Sequence, residues 1–358
     1  MNYLITGLVY SLFKRSIKKK MNTIKIVSKP DQYNIEVISQ KLAELHTRDV
    51  HFSGSDIPPE DPHFDEIQIK NSVLRKSKWR HKRTAVVAKF MRHCLRELDV
   101  EINLKLIVNV HDKYDGEFTS YPVLVFGKSV KCRPDLIQIP SLYIINGIAK
   151  KRCIITRFMD RPYNLKMNKL CFFGASTGNL DTSKNQRIKA ALWARNKQDI
   201  NIKITNWIQG ASDNLKFRGI EEVIPHITLQ NHFHPLKRIS IRRQLFYKYL
   251  LTIDGNSTSW DRFIWQLFSN SLAFKLESPI TEFWYPLLED RKNYISVNLD
   301  TLSEIFHHYK NNHHEAKSIN RLSKILISKY ILNPNFIKNY MKHLLILLSE
   351  KYSYTNSS

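Results

Sequence analysis

Two segments of this chain set small polar residues where an anion can be held. FFGASTGN (Phe172 to Asn179) follows a strand-like run and precedes a helical stretch from about Ser183 to Asn196. A small-residue turn at that junction presents backbone N–H groups to an approaching anion. Gly174, Ala175, Ser176 and Thr177 are the candidate contacts, with Arg187 one or two turns into the following helix. The spacing matches neither GxGxxG nor the Walker pattern, so a turn that binds nothing is the competing reading. IDGNSTSWDR (Ile253 to Arg262) repeats the plan of strand, polar turn and helix start. Ser257, Thr258 and Ser259 offer hydroxyls and caps. Arg262 then falls in the first helical turn, placed to point back at the same anion. Capping alone would also explain Asp254 and Ser259. Two such turns in one half of the chain suit a diphosphate better than either does singly. A third segment, VNVHD (Val108 to Asp112), ends a strand on a carboxylate. Ligands of open parallel sheets bind beyond the carboxyl ends of the strands. Asp112 is therefore a candidate general base, against the plainer reading of a helix cap or surface acid.

Other reactive side chains are less informative. His307, His308, His313 and His314 sit in a polar helical stretch, and His232 and His234 flank an aromatic in a loop. None has two-histidine zinc spacing, so structural or surface roles are expected, and no metal site. Cys94, Cys132, Cys153 and Cys171 are scattered without a CxxC, the usage of a reduced intracellular protein. KNSVLRKSKWRHKR (Lys70 to Arg83) is the densest basic run. It suits nucleic acid, a phosphorylated lipid or a glycan, or else a solvated helix face.

The elements that must position these residues alternate between strand and helix. Short apolar runs at Leu104 to Val110, Pro122 to Phe126, Lys169 to Gly174, Tyr249 to Asp254, Ser271 to Leu276 and Tyr294 to Val297 read as strands. Helical spacing occupies Val37 to Leu45, Thr84 to Leu98 and Ser259 to Ser269, then Ile319 to Ile331 and Asn335 to Glu350. In Thr84 to Leu98, the residues Val87, Met91, Cys94 and Leu98 share a face. This alternation predicts an α/β protein with parallel sheets covered on both faces. At about 150 residues per domain, 358 residues suggest two domains, with a boundary near Arg157 to Lys169. SGSDIPPEDPHF (Ser53 to Phe64) reads as a loop because of its prolines.

Lys and Arg number 56 against 32 Asp and Glu, a formal net charge of +24. Such a field favours nucleic acid, an anionic membrane or a phosphorylated substrate. An aromatic content of 11% argues against wholesale disorder. YLITGLVYSLF (Tyr3 to Phe13) is about half the ~20 residues that span a bilayer, and its charges follow rather than precede it. No signal peptide or transmembrane helix is expected. Residues 1–20 read as a basic leader that can lie on an anionic membrane, or as residues upstream of a start at Met21.

Together these segments resemble glycosyltransferase family 90. The strongest likeness is YKYLLTIDGNSTSWDRFIWQLFSNSLAFKLESPITEFWYPLLEDRKNYISV (Tyr247 to Val297). FFGASTGN is similar to the family's F-R-G-S-x-T-G segment, with Phe173 where arginine is usual. VNVHD is similar to I-N-V-R-D, with His111 in place of arginine. The resemblance implies a GT-B architecture, two Rossmann-like domains facing across a cleft and closed by C-terminal helices. On that frame residues 21–162 form the acceptor-side domain, 163–334 the nucleotide-sugar domain, and 335–358 a final helix and tail. It implies an inverting transferase that takes a nucleotide-sugar, usually a UDP-sugar, with neither metal nor cofactor. It places Asp112 as the catalytic carboxylate, Gly174 and Ser176 in the phosphate turn, and Ser259 and Arg262 in a second diphosphate-binding element, with Ala175, Thr177 and Arg187 beside them as candidate donor contacts. Glu277 stands where it could bond the nucleotide ribose. A cytoplasmic enzyme is expected, peripheral on the inner membrane, acting on lipopolysaccharide or a lipid-linked glycan. The alternative from another class is a non-catalytic basic protein that binds nucleic acid or anionic glycan.

Overall fold

The computed structural model describes residues 32–48, 63–75, 79–114, 122–131, 136–179, 181, 183–206 and 239–352. The leader over 1–20, most of the proline loop, Lys76 to Lys78 of the basic run, Cys132, His232, His234 and the tail beyond Tyr352 lie outside the described residues.

The first half runs α1 (Gln32–Thr47), β1 (Phe64–Lys70), β2 (Val73–Leu74), α2 (Lys82–Leu95), β3 (Leu104–Asn109), β4 (Val123–Val125), β5 (Lys128–Ser129), β6 (Leu136–Gln138), α3 (Leu142–Ile145) and α4 (Ile148–Met159). The second runs β7 (Met167–Ala175), α5 (Gln186–Ala194), β8 (Ile200–Asn206), α6 (Ile241–Gln244), β9 (Tyr247–Thr252), α7 (Asp261–Phe268), β10 (Leu272–Leu276), β11 (Ile280–Thr281) and β12 (Ile295–Val297). It closes with α8 (Leu302–Asn311), α9 (His313–Leu326), a π turn (Ile327–Ile331) and α10 (Pro334–Lys351).

The second half holds a five-stranded sheet, order β12-β10-β9-β7-β8, with every pair parallel. Its strands are apolar on both sides because both faces are covered. Leu170, Phe172, Tyr249, Leu251, Leu272 and Phe274 pack with α5 and α8, while Cys171, Phe173, Leu250 and Ala273 pack with α7 and α10. Alternate residues thus serve opposite layers.

The first half holds a sheet of order β2-β1-β3-β4-β6. Here the expectation of purely parallel sheets is corrected. The pairs β3–β4 and β4–β6 are parallel, but β1 is antiparallel to both β2 and β3. The cause is local. Asn71 and Ser72 both take positive φ, 49° and 59°, between the paired residues Lys70 and Val73. That geometry is a two-residue primed hairpin turn, which folds β2 straight back on β1.

The halves share a core. Ile67, Leu106 and Val108 of the first sheet belong to the same apolar cluster as Cys171, Leu250 and Ala273 of the second. Helix α10 returns to pack on α1 and α2, and Tyr340 Oη donates to Gln138 O at 2.5 Å. Strands β5 and β11 pair antiparallel between the halves. Helix α4 packs on α7, where Arg152 pairs with Asp261 at 3.3 Å. Among the described residues no helix is long and apolar enough to cross a membrane, and no cluster of His, Cys, Asp and Glu could hold a metal ion.

Candidate functional site

A cleft of about 420 Å³ opens where the two sheets meet. Of the residues predicted to form the site, Asp112, Gly174, Ala175, Thr177, Arg187, Ser259 and Arg262 line it together. Ser176 and Glu277 do not. Ser176 is buried, and its N–H continues the ladder to Asn206 O at 2.9 Å. Glu277 is exposed outside the lining, its backbone engaged by Val297 and by the Gln186 side chain.

The first turn is held from below by Asn185, the N-cap of α5. Its side chain accepts from the N–H groups of Arg187 and Ile188 and donates to Ser176 O and Asn179 O. Gly174 is required by its neighbour: a Cβ there would stand 2.5 Å from the Phe172 ring. That ring in turn lies under two guanidinium groups, Arg187 at 5.5 Å and Arg262 at 5.1 Å from its centroid.

Arg187 was expected to face the diphosphate. The structure gives most of it a different task. Its Nε donates to Ile253 O and Asp254 O, Nη2 to Ile253 O, and Nη1 to Ala175 O and Thr177 Oγ1. One buried side chain therefore ties the two turns together through their carbonyls. Gly255 permits the approach, since a Cβ there would meet Thr177 Oγ1 at 2.7 Å and Arg187 Nη2 at 3.0 Å. Burial, then the Arg262 charge, push the Arg187 pKa down. Arg262 is half-buried, lines the cleft and bonds Gln244 Oε1 at 3.3 Å. Two mutually repelling cations at one cleft form a site that an anion stabilises.

The second turn rests on a buried polar network. Asp254 accepts from Ser259 Oγ at 2.9 Å and pairs with Lys275 Nζ at 2.7 Å. Thr258 Oγ1 and Trp284 Nε1 both donate to Glu282, at 2.6 and 3.2 Å. Burial raises the Glu282 pKa to about 7, opposed by those two hydrogen bonds. A carboxyl raised above its usual 4.5 adds stability that is complete below about pH 4.5 and is lost as pH rises through about 7. Glu282→Gln is therefore expected to gain on the wild type in melting temperature between about pH 5 and pH 8. Thermal melts at both values check it, and a constant difference would refute it.

Trp260 crosses from the second half to the first. It stacks on Tyr143 with centroids 5.6 Å apart and meets Phe126 edge-on at 6.4 Å. Its φ of 50° and ψ of −128° are unusual for a bulky residue. Such strain costs about 1–3 kcal/mol and is held by surrounding contacts.

From the first half of the chain, Asp112 follows β3 into the same cleft. Arg83 Nη1 donates to Asp112 Oδ1 at 2.9 Å and to Val110 O at 3.0 Å. Arg83 sits in the first turn of α2, whose N-cap His81 accepts from the Arg83 N–H. His63 stacks between His111 at 3.9 Å and His81 at 4.9 Å. Burial, and next His63, lower the His81 pKa. Asp261 also lines the cleft, but it is engaged by Arg152.

Comparison with known proteins now bears on this arrangement. The sequence model of "Glycosyl transferase family 90" matches residues 176–356, just over half of the chain. The chain belongs to glycosyltransferase family 90. The match includes Ser176, Thr177, Arg187, Ser259, Arg262 and Glu277; Asp112, Gly174 and Ala175 precede it. A human relative, Protein O-glucosyltransferase 3, is 31% identical over 109 residues, covering 30% of this chain. The chain spans about a fifth of that relative, 21% of its length.

Several residues that build this cleft carry weak sequence signals. Asn185 has the type of an N-cap, but the helix was expected to begin two residues earlier. Arg83 lay inside the basic run, with nothing to connect it to an aspartate 29 residues away. Gln244, Trp260, Lys275 and Glu282 lie within the segment whose likeness to the family was quoted, or beside it, without a stated role.

Proposed function

We propose that this chain is an inverting glycosyltransferase of GT-B architecture that moves a sugar from a UDP-sugar to a glycan hydroxyl. The observation that carries the reading is one cleft lined by both polar turns with Arg187 and Arg262, and by Asp112 from the other half of the chain. The turns hold the donor diphosphate. Arg262 takes up the charge that grows on the leaving diphosphate, beside Arg187 and the turn backbone, so no metal is needed for that task. Asp112 accepts the proton of the acceptor hydroxyl as it attacks the anomeric carbon from the face opposite the nucleotide. Arg83 holds Oδ1 of that carboxylate, which leaves Oδ2 for the acceptor. The charge of +24 supports an acceptor rich in phosphate or acidic sugars, such as lipopolysaccharide or a related lipid-linked glycan. Such an acceptor places the reaction at the cytoplasmic face of the inner membrane. The described cysteines, Cys94, Cys153 and Cys171, are free and buried, which accords with a reducing compartment.

Thermal unfolding against UDP, GDP, CMP and ADP, each with and without EDTA, tests this. A ligand at one hundred times its dissociation constant adds about 2.7 kcal/mol to the folded state. A UDP-selective rise in melting temperature is expected, unchanged by EDTA and absent in Arg262→Ala. No rise with any nucleotide would defeat the reading. A rise abolished by EDTA would defeat its metal-free form.

A further inference from the structure

The exposed apolar side chains of this protein are not scattered. Eleven large ones are exposed among the described residues, and six of them (Phe158, Met159, Leu165, Met167, Leu322 and Ile325) come from two segments that meet. The first three close α4 and form the turn after it, Met167 opens β7, and the last two lie one turn apart on α9. Asn270 joins the segments. Its Nδ2 donates to Arg161 O at 3.0 Å and its N–H to Asp160, while Lys324 of α9 donates to its Oδ1. Leu165 is the most exposed of the six, at 68%.

Apart from Glu315, which shares the Leu322 stripe of α9 and is bonded by His308 at 2.8 Å, the charges beside these apolar tips are cationic. Lys317, Arg321 and Lys324 run along α9 at helical spacing, and Lys317 reaches the Tyr163 ring at 5.6 Å. Arg157 and Arg161 flank the other segment, both exposed. The acidic residue between them, Asp160, has a side chain only 3% exposed and is neutralised by Lys166. Apolar tips among an excess of cations, with Asp160 buried and paired and Glu315 bonded to His308, suit a layer that is apolar inside and anionic at its surface.

We propose that this face docks on an anionic lipid bilayer, with the six apolar side chains in the headgroup–acyl boundary and the α9 cations against lipid phosphates. The inference uses none of the cleft residues and none of residues 1–31. One consequence does rest on the transferase reading. Strand β7 runs from Met167 at this face to Ala175 at the cleft, nine residues at about 3.3 Å each. The cleft then stands at most about 25–30 Å from the headgroups along that strand, within reach of an extended lipid-linked glycan.

The test is co-sedimentation of the full chain with vesicles of phosphatidylcholine, alone or with about 30% phosphatidylglycerol. The wild type is expected to pellet with the anionic vesicles only, and to be released by salt. Leu165→Asp combined with Ile325→Asp, and separately Lys317→Gln combined with Arg321→Gln, should each weaken binding about tenfold or more without changing the melting temperature. Val130→Asp, an exposed apolar site outside this face, should bind as the wild type does. Absence of wild-type binding to anionic vesicles would overturn the proposal. So would undiminished binding by both double variants, which would assign attachment to other residues. Donor binding, read by the nucleotide melts, is independent of every outcome here.

Discussion

Asp112→Asn is expected to leave the fold and donor binding intact and to reduce sugar transfer by about 10²–10⁴-fold. The asparagine keeps the shape of the side chain and an oxygen that can accept from Arg83 Nη1. The Arg83–Asp112 pair is well exposed, at 37% and 43% of the two side chains, so losing the negative charge strands no buried cation. What the variant lacks is a basic oxygen for the acceptor proton. The UDP-induced rise in melting temperature should therefore match the wild type, because the two turns belong to the other half of the chain and Asp112 is held by Arg83. Single-turnover transfer measured with saturating donor separates the two effects. Near-full transfer by the variant would remove Asp112 from the chemistry and leave the cleft without an assigned base.

The parts of this site that were legible in the sequence are those specified by neighbouring residues. A run of apolar residues followed by glycine, serine and threonine marks a strand turning into a helix, and both segments run from strand through turn to helix. Asp112 was legible for the same reason, as a polar residue at the end of an apolar strand. The parts that were not legible depend on contacts between distant segments. Arg187 could be seen as a cation near a turn, but not as a donor to Ala175, Ile253 and Asp254. Arg83 and Asp112 approach because β1 pairs antiparallel with β3, which sets α2 beside the end of β3. The Asn71–Ser72 hairpin fixes only the β1–β2 pair, whereas the β1–β3 pairing joins segments far apart in the chain and leaves no local signal. Ser176 was counted with its neighbours in the turn, yet its N–H belongs to the sheet. Alternation along β7 decides such questions only once the partner strand β8 is known.

Arg187→Met is expected to destabilise the protein before it affects any ligand. Methionine fills similar volume but supplies none of the N–H groups that now meet three carbonyls and the Thr177 hydroxyl. A buried acceptor left without a donor costs about 1–3 kcal/mol. Water entering from the cleft recovers part of that, so a net loss of several kcal/mol is expected, against a total stability of about 5–15 kcal/mol. At about 2–4 °C per kcal/mol for a domain of this size, the melting temperature should fall by roughly 10 °C without ligand. Arg187→Lys should recover little, because one ammonium cannot reach both turns as a planar fork does. A simple anion-binding arginine would behave in the opposite way. Removing it would relieve repulsion with Arg262, leave or raise the ligand-free melting temperature, and weaken UDP alone. Melts of the two variants with and without UDP therefore decide between a tie that shapes the cleft and a cation that only fills it.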